Sequence, residues 1–136
     1  MVKVIIGILI LFLVFGHTDP VEVTKQIIGI STKSLEKEQP GGESKVFDCN
    51  YNFCYEETLE VLKEMGVYVF LENKKEHSII AMNFDKIFKK CINTTEVGIF
   101  FKEMENEQTK IDVTCANPNL VKFASEEIFS RLKKKL

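Results

Sequence analysis

Four cysteines, two histidines and a cluster of glutamates are the residues of this chain with types that could do chemistry. Cys49 and Cys54 are spaced C-x4-C, while Cys91 and Cys115 stand far along the chain. A structural zinc site usually takes two close ligand pairs. Only one close pair is present, with His77 remote from it, so no metal and no cofactor are expected. Redox catalysis favours a C-x-x-C pair and a thiolate stabilised by positive charge. The C-x4-C spacing is too long, and Glu56 and Glu57 oppose a thiolate at Cys54. Nucleophilic hydrolysis needs a histidine base. His17 lies at a processing site, and His77 lies at a polar turn beside Glu76. The acids Glu56, Glu57, Glu60 and Glu64 fall on one helical face and read as a solvated surface rather than an acid–base pair. No phosphate-cradling loop is present, because Gly41-Gly42 lies in a linker and not at a strand-to-helix turn. These residues predict no catalytic centre.

The first residues carry a different message. After Lys3, an apolar run extends from Val4 to Phe15, followed by Gly16, His17 and Thr18. One positive charge, a short apolar stretch and small or polar residues beyond it read as an export signal. The run is shorter than the roughly 20 apolar residues of a transmembrane helix. Residues 1–16 are therefore read as a signal peptide or membrane anchor, with cleavage between Gly16 and His17. A lipoprotein signal would place cysteine where His17 stands. The expected location is extracytoplasmic: periplasmic or membrane-anchored. There, the four cysteines Cys49, Cys54, Cys91 and Cys115 could form two disulfides in any of three connectivities or remain as buried thiols.

The net charge of −2 predicts no nucleic-acid partner. Arg131, Lys133, Lys134 and Lys135 form a short basic end that suits the negative pole of a last helix and could touch anionic lipid. Asn93-Thr94-Thr95 is a glycosylation sequon, meaningful in a eukaryotic secretory route.

The elements that must carry these residues follow from periodicity. Residues 17–44 read as an amphipathic and linker segment. Asp19-Pro20-Val21-Glu22 has the form of a helix start, Val23, Ile27, Ile30 and Ser34 recur at helical spacing, and Pro40-Gly41-Gly42 marks a boundary. Residues 45–136 read as one compact domain. Val46–Cys49 is a short strand. Tyr51–Met65 is a helix capped by Asn50 or Asn52, with Cys54, Thr58, Val61, Leu62 and Met65 on its buried face and Gly66 at its end. Val67–Glu72 and Ser78–Asn83 form a hairpin around Asn73–Glu76. Phe84–Ile92 reads equally as a helical turn or an extended excursion. Thr95–Met104 and Thr109–Cys115 form a second hairpin, with Val97, Ile99 and Phe101 and then Ile111, Val113 and Cys115 on one face. Leu120–Lys135 is a final helix with Val121, Ala124, Ile128, Phe129 and Leu132 inward. The order β-α-β-β-β-β-α predicts an α+β domain: an antiparallel sheet with both helices packed on one face.

Gly29–Glu36, Asn93–Glu103, Thr109–Val113 and Ile128–Leu132 together resemble small bacterial cell-envelope proteins of unknown function, often predicted to be lipoproteins. The order of elements is also similar to the domains of outer-membrane assembly lipoproteins, a likeness of fold alone. The resemblance implies an envelope location and no particular activity. The expected role is a non-catalytic structural or interaction domain near a membrane, with an envelope protein as partner. The alternative is a binding module for a small apolar ligand or lipid in a groove between sheet and helices, with Phe70, Phe84, Phe88 and Phe101 as walls. An enzyme ranks last, with Cys54 and His77 as the residues to test.

Overall fold

The computed structural model describes residues 42–136. The apolar run, the Gly16–His17 junction and the segment from Asp19 to Gly41 lie outside the described residues. Among the described residues, five strands and two α-helices alternate as expected: β1 (Glu43–Phe47), α1 (Tyr51–Glu64), β2 (Tyr68–Asn73), β3 (Ser78–Met82), β4 (Val97–Glu103), β5 (Thr109–Cys115) and α2 (Pro118–Lys135). The strands form one antiparallel sheet in the order β1-β5-β4-β3-β2. The domain is α+β.

α1 begins where Asn50 turns its side chain back to accept the Phe53 N–H at 3.0 Å, satisfying one of the orphan donors of the first turn. It ends at Met65, and Gly66 follows with φ +70°, a left-handed geometry that glycine adopts without a Cβ penalty. Asn117 caps α2, accepting from the Asn119 and Leu120 N–H groups, and Pro118 opens the helix where no N–H is needed. Asn50 and not Asn52 is the first cap. β1 starts at Glu43 and ends at Phe47, earlier than the Val46–Cys49 strand expected from the sequence, because its register is set by pairing with β5, Glu43 opposite Val113 and Phe47 opposite Thr109. The undecided stretch after β3 becomes a single 3-10 turn, Phe84–Lys86, followed by irregular chain.

Both helices lie on one face of the sheet. Cys54, Tyr55, Val61 and Leu62 from α1 and Leu120, Ala124, Ile128 and Leu132 from α2 share a core with Ile79, Ala81, Val97, Ile99, Phe101, Ile111 and Val113. These strand positions alternate, as the two-residue repeat of a strand requires when one face is buried. Burial of such side chains is the main driving force of the fold. The opposite face carries a smaller cluster in which Ile80 and Phe100 are 2% and 5% exposed and Leu71 packs against them. Gly98 belongs to the same face: a Cβ there would come within 2.7 Å of the Phe100 ring and 3.1 Å of the Thr114 hydroxyl, so the bare backbone makes room for the ring. Among the described residues no helix is long and apolar enough to cross a membrane.

Candidate functional site

Cys49 ends the turn after β1 and Cys54 lies in the first turn of α1. The two are joined as a disulfide with Cα atoms 5.9 Å apart. The disulfide lies across the Asn50 cap, so strand end and helix start are fastened covalently as well as by hydrogen bonds. The Thr109 hydroxyl also donates to the Cys49 carbonyl at 2.8 Å, tying the corner to β5. Cys91 and Cys115 lie outside this bond, and the Cys115 Sγ accepts the Asn117 N–H at 3.3 Å. Of the disulfides open to the four cysteines, this single local pair is formed. Burial, and then the charge of Asp85, push the Cys91 thiol above its ordinary value, and its Sγ–H donates to the Phe88 carbonyl at 3.2 Å. Neither feature favours a reactive thiolate.

His77 is not the isolated turn residue that its neighbour Glu76 suggested. The β2–β3 turn holds it at φ +53°. Its ring packs at a tilt of 31° on Tyr51 with centroids 4.1 Å apart, and its Nε2 stands 3.7 Å from a Glu103 carboxylate oxygen at the far end of β4. The Tyr51 hydroxyl donates to the Lys74 carbonyl at 2.5 Å, and Lys74 in turn pairs with Glu56 at 2.7 Å. Burial first, and then the charges of Glu103 and Glu56, raise the Tyr51 pKa. Behind it, Tyr55 is buried against Phe101 with ring centroids 5.1 Å apart and is pushed up to about 12, first by burial and then by Tyr51, Glu72 and Glu56. Three sequence-distant segments thus bring a histidine, a carboxylate and a phenol together. Cys49 and Cys54, which flank Tyr51 in sequence, are both held in the disulfide, so the corner joins an imidazole to a phenol beside a bonded cysteine pair. Among the described residues no three His, Cys, Asp or Glu side chains lie together as metal ligands would.

The phenylalanines expected to wall an apolar groove are dispersed. Phe84 and Phe101 are buried in the core, Phe88 stacks on Phe123 at 5.0 Å, and Phe70 is 39% exposed on β2. The space between sheet and helices is filled by the core cluster itself.

The open concavity of interest lies at the edge. A groove of about 440 Å³ runs between α1 and β2. Leu59, Val67 and Val69 contribute apolar lining, and Glu56, Glu60, Lys63 and Glu72 contribute charged lining. The acids read as a solvated helix face are therefore divided by the tertiary structure: Glu56 and Glu60 border this groove, while Glu57 and Glu64 receive Lys135 from the end of α2 at 3.8 and 2.7 Å. The basic end of α2 is partly neutralised within the molecule. No signal in the sequence pointed to this helix–edge groove, because it depends on which strand closes the sheet beside α1. Compared with known proteins, the chain matches no protein-family model and no curated sequence.

Proposed function

We propose that the protein is an exported, non-catalytic interaction domain that works in the cell envelope close to a membrane. The observation that carries this reading is the Cys49–Cys54 disulfide downstream of the Val4–Phe15 apolar run. Disulfides persist in oxidising compartments and are rare in the cytosol, so the bond and the signal-like run agree on a destination. The resemblance to small envelope proteins supports the same reading. The partner in this reading is another envelope protein.

The test is to express the chain with its own first residues in a bacterial host, fractionate the cells and measure intact mass after alkylation of the unfolded protein, with and without reduction. The expected product is found outside the cytoplasm. It carries two alkylated thiols, Cys91 and Cys115, before reduction and four afterwards. In the same cells, in vivo cross-linking yields a specific envelope protein. A cytoplasmic protein with four alkylatable thiols, or an exported one that cross-links to no specific partner, overturns the reading.

A further inference from the structure

Among the described residues, β2 closes one edge of the sheet and pairs with β3 alone. An edge strand presents unpaired backbone N–H and C=O groups, and an extended segment can add to it. The side chains along this edge differ on its two sides. On the helix side, Val69 and Glu72 border the groove against α1, with Leu59 and Val67 beside Val69 and with Glu56 and Glu60 across from it. On the other side, Leu71 packs near Ile80, and Tyr68 is 54% exposed. Phe70 sits at a bulge, 39% exposed.

The charge of the groove selects its occupant. Three glutamates and one lysine line it. Lys74 already engages Glu56 from outside, whereas the Lys63–Glu60 pair is long at 3.9 Å and exposed, worth little in water. Among the described residues, Glu60 and Glu72 are thus the groove acids placed to receive a cation. A Lys or Arg stem is apolar and its head charged, so such a side chain covers an apolar floor while its head reaches an acidic rim. In an extended segment alternate residues point to opposite sides. A segment with basic residues at every second position, separated by apolar ones, would lay its cations over Leu59, Val67 and Val69 and its apolar side chains against Tyr68 and Leu71. A second copy of β2 is disfavoured, since it would bring Glu72 against the same acidic rim.

We propose that the β2 edge and its groove bind an extended, basic polypeptide segment of a partner protein, which adds one strand to the sheet. The inference rests on the interaction-domain reading above and names its surface and the chemistry of the partner. The probe is a capped peptide of about eight residues alternating lysine and valine, long enough to span an edge strand, titrated into the full isotope-labelled chain and followed by amide shifts. The control peptide alternates glutamate and valine.

The expected result is saturable binding of the lysine peptide that shifts amides of β2 and of α1 around Leu59, weakens with added salt and is absent for the glutamate peptide. The variant Glu60→Lys/Glu72→Lys changes only exposed positions, keeps its melting temperature and binds about tenfold or more weakly. No binding, equal binding of both peptides, shifts centred elsewhere, unchanged affinity in the variant or self-association through β2 each overturn the proposal. A specific envelope partner cross-linked through another surface would leave the interaction-domain reading standing while removing this one. The absence of any specific partner in the cell would remove the reading itself.

Discussion

Tyr55 shows most directly how single side chains respond to this fold. It is 1% exposed beneath Phe101, its hydroxyl donates to the Ser78 carbonyl at 3.3 Å, and its pKa is pushed up to about 12 from an ordinary 10. The phenol stays protonated in the folded chain over a range where the unfolded chain ionises it. The stabilisation is therefore complete below pH 10 and is lost between pH 10 and 12, because the unfolded state then binds fewer protons than the folded one. Tyr55→Phe should remove that component. Denaturant unfolding of the parent chain is expected to lose up to about 3 kcal/mol more than the variant across this window. An identical alkaline slope in the two proteins would show that Tyr55 titrates as in the unfolded chain. Gly98 is the complementary case at the same scale. Its lack of a Cβ is what admits the Phe100 ring, and the need arises from a side chain two residues on, along the same face.

At the scale of elements, the β1–α1 corner is held by redundant local devices. The Asn50 cap, the Cys49–Cys54 bond and the Thr109 hydroxyl on the Cys49 carbonyl all act within a few residues of the helix start. A covalent link across so short a loop restricts the unfolded chain by about 2 kcal/mol in the chain-entropy view. Replacing both cysteines, Cys49→Ser/Cys54→Ser, should lower unfolding free energy by about that amount while leaving the circular dichroism of the helices in place. A loss of helix content would mean that the bond forms α1 and does not merely secure it. The far end of the helix pair is closed electrostatically. Lys135 bridges to Glu64 and Glu57, and the hydrogen bond to Glu64 is the main cause of its raised pKa. That contact is exposed and adds orientation more than stability.

At the scale of the domain, one core joins both helices to the five strands of the described residues: Phe47 from β1 and Phe129 from α2 meet at 5.8 Å, and Val69 of β2 packs at the other border. Leu62 and Ile99, both fully buried, sit on opposite layers of that core. Leu62→Ala should cost about 2–5 kcal/mol and lower Tm by about 10 °C or more. Because the core is continuous, hydrogen exchange should quicken in β4 and β5 as well as in α1. Quickening confined to α1 would divide the domain into independent parts. The sheet's second face, with Phe100 and Ile80 nearly fully buried, behaves as a smaller apolar cluster beside the Ser44–Asp112 hydrogen bond and the Lys110–Asp112 ion pair of 3.0 Å.

The sequence by itself determined the order of elements, the α+β class and most inward positions. Val97, Ile99 and Phe101, or Val61 and Leu62, announce their burial by spacing alone, since a strand repeats every two residues and a helix every 3.6. The start of β1 was not legible, because Glu43 and Ser44 are polar and join the sheet only through partners near Val113 and Asp112. Nor could spacing choose among the cysteine pairings, place His77 against Tyr51 and Glu103, or separate the acids that border the β2 groove from those that hold Lys135. Each of these depends on groups far apart in the chain meeting in space, and local periodicity carries no information about which distant segments meet. Strand order and helix placement decide that, and with it which polar groups share a surface.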